Sequence, residues 1–348
     1  MYADFYTKET EREREAPEQE ALGILRDFNK DSWLWLRDVV DMHVYCLPCV
    51  DMRLYDEFEM ARHMRGIGYK AFASKRHYCC NADVAALVNK YVSGIRCIGG
   101  IVLNWCVGGL NPHAVDHAIL MGGKVVWMGN MHHGTLGNKP FRSKYGMQNR
   151  SPDHYTIRRP PKKWEVAPPI NAIDLSTGKV VEPVREIIEL CREAEDVVLN
   201  SCHISTTECL AVAEECERQD FHKFVVDHSQ RRGAIGVPLE EEKKQQNIDI
   251  LKKLADLGAY LEFDTPKVEP HHREAANMIR EIGPEHCILT SGHGAVAHVH
   301  PIEAMRWFMM SLRLAGMTGQ EIDLMAKKTP AKLLELDDPP RWENRPYI

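Results

Sequence analysis

Eight short segments rich in β-branched and apolar residues recur along the chain, at 39–45, 69–77, 96–104, 124–133, 196–203, 222–229, 260–265 and 286–294. Polar residues, glycine or proline bound each one. Between most of them lies a segment with apolar residues three and four apart, the spacing of one helix face, at 56–65, 82–91, 112–121, 183–194, 207–219, 240–257, 273–282 and 301–314. Asn111-Pro112 is a strong helix start, because asparagine caps and proline suits the first helical position. Eight strand-helix units in a row predict an α/β chain folded as a closed (β/α)8 TIM barrel, although a doubly wound sheet produces the same pattern.

The same rhythm divides the chain. Residues 1–36 read as a polar, largely helical leader, 37–336 as the barrel, and 337–348 as a Pro- and Asp-rich tail. Trp33, Leu34, Trp35 and Leu36 are expected to pack the leader onto the barrel. The rhythm breaks once, after the fourth strand, where 135–169 is rich in Lys, Arg, Pro, Gly and Asn and has little periodicity. A loop of that length at the carboxyl end of a barrel strand is expected on the active face, as a lid or an oligomer contact. Its basic run, Arg158 to Lys163, lacks interleaved aromatics and reads as a solvated loop.

Composition narrows the function classes. With 44 Lys+Arg against 50 Asp+Glu, the net charge is −6, which argues against a general binder of nucleic acid or anionic membrane. The longest nearly apolar stretch, Ile101 to Leu110, is too short for a bilayer. Met1 to Glu15 is charge-dense where a secretory signal needs an apolar centre, so a cytoplasmic protein is expected. The 11 cysteines are an odd number and are scattered, which does not suit a secreted disulfide framework. Cys46/Cys49 and the adjacent Cys79-Cys80 read as small buried thiols in preference to a zinc site, since neighbouring cysteines chelate one ion poorly.

Chemistry is expected where the strands end. Asp41, His43 and Tyr45 alternate along the first strand and so share a face, as do Lys75 and His77 at the end of the second. The fourth strand ends His132-His133, the fifth Cys202-His203, the sixth Asp227-His228 and the eighth Ser291-Gly292-His293-Gly294. A barrel gathers these ends at one mouth, and imidazoles gathered there predict a metal site.

Several of these segments carry a resemblance. D-M-H-V-Y (41–45), S-K-R-H-Y (74–78), G-G-I-V-L-N (99–104), V-G-G-L-N-P-H-A-V (107–115), K-V-V-W-M (124–128), H-I-S-T-T-E (203–208), V-V-D-H (225–228), T-S-G-H-G (290–294) and T-P-A-K-L-L (329–334) resemble the amidohydrolase superfamily. The likeness spans about 37–336 and is closest to a branch of metal-dependent hydrolases distantly similar to the phosphotriesterases. It implies His43, His203 and His228 as metal ligands. It also implies that Lys75, if carboxylated, bridges or completes the site; as an ammonium it would instead pair with a substrate carboxylate or phosphate. Three positions depart from the pattern. Tyr45 stands for the second histidine of H-x-H, the fourth strand has Asn130 and His132-His133 but no lysine, and Gly292 stands where an aspartate is expected.

The resulting expectation is one divalent ion per chain, zinc, manganese or iron, and hydrolysis of a C–N or C–O bond in a small polar, anionic molecule. The scissile group would be an amide, a cyclic amide, a lactone or an ester. Tyr45 is the candidate donor to an oxyanion, His77 and His293 the candidate proton carriers, and Lys75, His133 and Asp264 the candidate substrate contacts. Asp264 also competes for the role of the missing eighth-strand acid. The alternatives are a metal-dependent decarboxylase and a binding barrel that no longer turns over. No nucleic-acid or membrane partner is expected, and a homo-oligomer is.

Overall fold

The computed structural model describes residues 18–49, 51–129, 168–231, 241–265 and 272–336. It is a (β/α)8 barrel. Strands β1 (Val40–Tyr45), β2 (Ala71–Lys75) and β3 (Arg96–Ile98) form one run of parallel neighbours. A second parallel run comprises β4 (Gly100–Val102), β5 (Val125–Trp127), β6 (Val198–Asn200), β7 (Phe224–Val226), β8 (Tyr260–Asp264) and β9 (Cys287–Thr290). The runs close at β1, where Tyr45 N donates to His293 O (2.9 Å) and Gly292 N to His43 O (3.0 Å).

The segment expected as one strand at 96–104 is thus two, β3 and β4, which together make the third stave. Gly99 is the break. A Cβ there would come within 2.7 Å of Ala82 Cα, so the start of the preceding helix presses on the strand and admits no side chain. Asn81 then takes over the hydrogen bonds of Gly100, its Oδ1 accepting from Gly100 N at 2.9 Å while Asn81 N donates to Gly100 O at 3.0 Å.

Helices cover the outside: α1 (Glu18–Trp35), α2 (Glu57–Ile67), α3 (Ala82–Tyr91), α4 (Pro112–Leu120), α5 (Glu182–Ala194), α6 (Thr206–Arg218), α7 (Glu241–Asp256), α8 (His272–Ile282) and α9 (Pro301–Leu314). Asn111 caps α4 as expected, accepting from His113 N at 3.2 Å. Asp56 with Glu59, and Ser205 with Glu208, form capping boxes on α2 and α6. Inside the first turn of α2, the buried Glu57 carboxylate accepts from Ser74 Oγ at 3.0 Å and Arg76 Nε at 2.6 Å. These two bonds grip the residues on either side of Lys75 and fix how β2 delivers it.

The leader differs from expectation in one respect. Leu36 is buried and Trp35 packs on the core, but Trp33 and Leu34 are 43% and 49% exposed. The α1 face that packs is instead Ile24 and Phe28 against Met310 of α9. Arg306 of α9 lies over the rings of Phe28 and Trp33. The insertion expected at 135–169 and the tail at 337–348 fall almost wholly outside the described residues. Among those described, no helix is long and apolar enough to cross a membrane.

Candidate metal centre at the barrel mouth

Barrel strands alternate their side chains between the lumen and the helix layer. Along β1 this delivers His43 and Tyr45 side by side, His43 Nε2 lying 2.8 Å from the Tyr45 hydroxyl. Along β8 it delivers Glu262 and Asp264 to the same side. Strand β7 breaks the rule. His228, just past its end, has φ +54, a left-handed backbone that bulky residues rarely adopt, and the turn brings Asp227 and His228 to one place.

The result is a buried row in which carboxylates and imidazoles alternate. Glu262 Oε1 lies 2.6 Å from His43 Nδ1, and Asp227 Oδ1 lies 3.4 Å from the Nδ1 atoms of both His43 and His228. Asp264 Oδ1 lies 3.0 Å from His228 Nδ1. Asn200 and Thr290 donate to the two oxygens of Glu262 at 3.1 and 2.9 Å. Lys75, wholly buried, donates to Asp227 Oδ2 at 2.9 Å and sits 3.2 Å from His43 Nε2.

Charge explains what such a row can hold. Burial and the Lys75 charge push His43 down, but Tyr45, Asp227 and Glu262 outweigh them and hold the imidazole well above its usual range. Burial would raise Asp227, yet His228, Lys75 and His43 hold it well below the carboxylate range. Burial would lower Lys75, but Asp227 and its neighbours outweigh it and hold the amine well above its usual range. Three carboxylates against one ammonium leave two negative charges in excess, which either protons on the imidazoles or one divalent cation can balance.

The donor set fits such a cation. One ligand atom from each of His43, Asp227 and His228 lies within 4.8 Å of the others, and among the described residues this is the one group of three or more such donors so gathered. His228 Nε2 is buried and has no hydrogen-bond partner. Carboxylates against the ring nitrogens are the partners that orient metal-binding imidazoles.

The residues singled out from the sequence are distributed unevenly around this group. His43, His228, Lys75, Tyr45 and Asp264 converge. His203 stands beside it, its ring 4.7 Å from that of His228, and burial followed by the His228 charge holds it well below the usual histidine range. His77 packs edge-on against Tyr45 at 5.0 Å. Burial, aided by Arg53 and Lys75, outweighs Asp51 and brings His77 down to about 4. His293 Nδ1 lies 2.6 Å from Ser291 O, and its ring 5.0 Å from that of His298. His133 and its neighbours Asn130 and His132 lie outside the described residues. The cysteines form no comparable group, and none of the 11 is in a disulfide.

Gly292, where an aspartate was expected, has a physical reason to be glycine. Its φ is +60, and a Cβ there would come within 2.9 Å of Asp264 Cβ and Oδ2. The Asp264 side chain, reaching across from β8, already fills that space. Gly292→Ala is expected to cost about 1–3 kcal/mol, the strain of a left-handed residue plus displacement of Asp264. Urea titration measures it, and a change below about 0.5 kcal/mol, the range of neutral surface substitutions, would show that the position tolerates a side chain.

Sequence reasoning missed Asp227 and Glu262. The signal for Glu262 was the alternation with Asp264 in Y-L-E-F-D; for Asp227 it was absent, because the turn at His228 is what brings it inward. Asp41 is buried and pushed up to about 6 by desolvation against hydrogen bonds from Ser291 and His43. Its Oδ1 accepts from Ser291 N at 3.0 Å, tying β1 to the strand that closes the barrel.

Residues 38–262 match a family described as "Family of unknown function (DUF6282)". A search of the curated proteins finds no match. Among solved structures, a dihydroorotase is similar at TM-score 0.52 and 12% identity over 88% of this chain and 71% of its own. An amidohydrolase from Burkholderia multivorans with bound zinc is similar at TM-score 0.52 and 12% identity, over 85% of this chain and 99% of its own. A 2,6-dihydroxybenzoate decarboxylase, in complex with 2,6-dihydroxybenzoate, is similar at TM-score 0.52 and 8% identity over 86% and 99%. At these identities the likeness is one of fold.

Proposed function

We propose that this chain, which belongs to the family of unknown function DUF6282, is a metal-dependent hydrolase of the amidohydrolase superfamily that cleaves a C–N or C–O bond in a small polar molecule. The observation that carries the reading is the buried His43, Asp227 and His228 group with its two-charge excess. Hydrolases of the same fold support it, and the zinc in one of them supports the metal class. The distant likeness to phosphotriesterases belongs to the same reading.

His43, Asp227 and His228 would hold a divalent cation, zinc, manganese or iron, with His203 adjacent; Lys75 as a carboxylated ligand is the competing assignment. Such a cation supplies Lewis acidity, polarising a carbonyl and making a water easier to deprotonate at neutral pH. The chain does the rest. Glu262 and Asp264 fix the rings of His43 and His228. The Tyr45 hydroxyl is placed to donate to a developing oxyanion. Asp264 takes the place of the eighth-strand acid and accepts a proton, with His77 and His293 as further carriers. Lys75 neutralises Asp227, and His133, at the end of the fourth predicted strand, contacts substrate. The setting is cytoplasmic and the protein a homo-oligomer.

Metal removal tests this. Protein purified without added metal is expected to carry close to one divalent ion per chain by elemental analysis, and a chelator is expected to abolish turnover of a panel of esters, lactones and cyclic amides. Because protons held at His43 compete with the cation, affinity should fall about tenfold per pH unit as pH drops below the raised His43 range. A metal-free preparation that still hydrolyses the panel would end the proposal. A second reading, decarboxylation, draws support from the matching decarboxylase barrel and is separated by assaying carbon dioxide release.

A further inference from the structure

The loop that follows β1 builds a cationic subsite that the hydrolytic machinery does not use. Leu47 N donates to Tyr55 O at 2.9 Å, Leu54 N to Gly294 O at 2.8 Å, and Arg53 forms a bridge with Ala295. The loop is therefore stitched to itself and to the strand that closes the barrel. Between these ties the Arg53 side chain is only 6% exposed, and its guanidinium lies over the Tyr45 ring, 4.3 Å from the centroid. The edge of that same ring carries the hydroxyl that meets His43.

Arg53 is incompletely satisfied. Its NH2 donates to Asp51 Oδ2 at 3.1 Å and lies 3.3 Å from His77 Nδ1, and the Cys49 sulfur is a further, soft acceptor. Its Nε–H is buried with no hydrogen-bond partner, and so is Nε2 of His77. A buried guanidinium donor without an acceptor is costly, and a planar carboxylate is the acceptor whose shape matches the guanidinium fork. Asp51 already balances the guanidinium charge, so what remains unmet is the hydrogen bond at Nε, and a singly charged carboxylate accepts it with less like-charge repulsion from Asp51 than a phosphate dianion.

We propose that Arg53, held over the Tyr45 ring whose hydroxyl meets His43, binds a carboxylate of the substrate. The substrate of the proposed hydrolase is then a carboxylic acid. This inference rests on the hydrolase reading for its meaning, but the subsite is testable by itself.

The probes are benzoate and benzamide, a matched pair differing in charge, titrated calorimetrically into the full, metal-loaded chain. Benzoate is expected to bind at least about tenfold more tightly than benzamide, and Arg53→Met to weaken benzoate roughly 10- to 100-fold while leaving benzamide unchanged. Arg53→Lys should fall between, because it keeps charge and loses the stacked fork. Asp51→Asn, which removes the competing carboxylate, should tighten benzoate several-fold and serves if Arg53→Met does not fold. Equal binding of benzoate and benzamide, no benzoate binding, an unchanged benzoate affinity in Arg53→Met or Asp51→Asn, or complete displacement of benzoate by equimolar inorganic phosphate overturns the subsite. Metal content measured on the same samples keeps the two readings apart: full metal without charge discrimination removes the subsite alone, whereas wild-type protein unable to hold metal removes the hydrolase reading.

Discussion

Asparagine in place of Asp227 is expected to strip the cation from the barrel mouth and to bring turnover down to that of chelated protein. Asp227 Oδ1 is equidistant, at 3.4 Å, from the Nδ1 atoms of His43 and His228, so it is the shared anionic member of the donor group. The amide is nearly isosteric but uncharged, and it halves the excess negative charge that draws a divalent ion. Loss of a residue that merely orients a ligand already costs 10- to 100-fold in metal affinity, so loss of the central carboxylate should cost at least about 100-fold. His203→Ala is the informative comparison. Its ring neighbours that of His228 but lies outside the donor group, so its metal content should fall less. Equilibrium dialysis followed by elemental analysis ranks the two variants. If Asp227→Asn keeps its metal while His203→Ala loses it, the ligand set is the one implied by the superfamily resemblance.

That comparison also marks where the sequence ceases to be legible. The eight staves could be read directly, because period-2 and period-3.6 hydrophobicity survive in a single chain and each barrel layer imposes one of them. The interruption at Gly99 could not, since it arises from the close approach of Ala82, far from it in the pattern. His43, Tyr45 and Lys75 were found from alternation along straight strands, and Asp264 as a candidate for the missing acid. Asp227 was hidden by the same logic: next to a histidine expected to point inward, it had to point outward, and only the left-handed turn at His228 reverses this. Gly292 looked like a lost acid. In space it is room left for Asp264, a carboxylate arriving from the neighbouring stave. Arg53 carried no periodic signal at all, because its position depends on a loop laced to Gly294 and Ala295.

Methionine at position 75 is expected to separate the two roles the sequence left open for Lys75. As an ammonium, Lys75 is the buried counter-charge of Asp227 at 2.9 Å, and both side chains are wholly shielded from water. Its removal leaves three carboxylates around two imidazoles with no fixed positive charge, and breaking a buried pair in this way costs about 3–5 kcal/mol. A divalent cation can replace the lost charge. Lys75→Met should therefore retain metal, fall sharply in stability when chelated, and recover a larger share of its stability on metal addition than wild type does, following the usual ligand linkage. A carboxylated Lys75 acting as a ligand predicts the reverse: metal lost, and a stability that metal addition does not restore. Urea titrations with and without chelator, paired with metal content, distinguish the outcomes, because the first requires the unfolding free energies to converge when metal is present and the second requires them to stay apart.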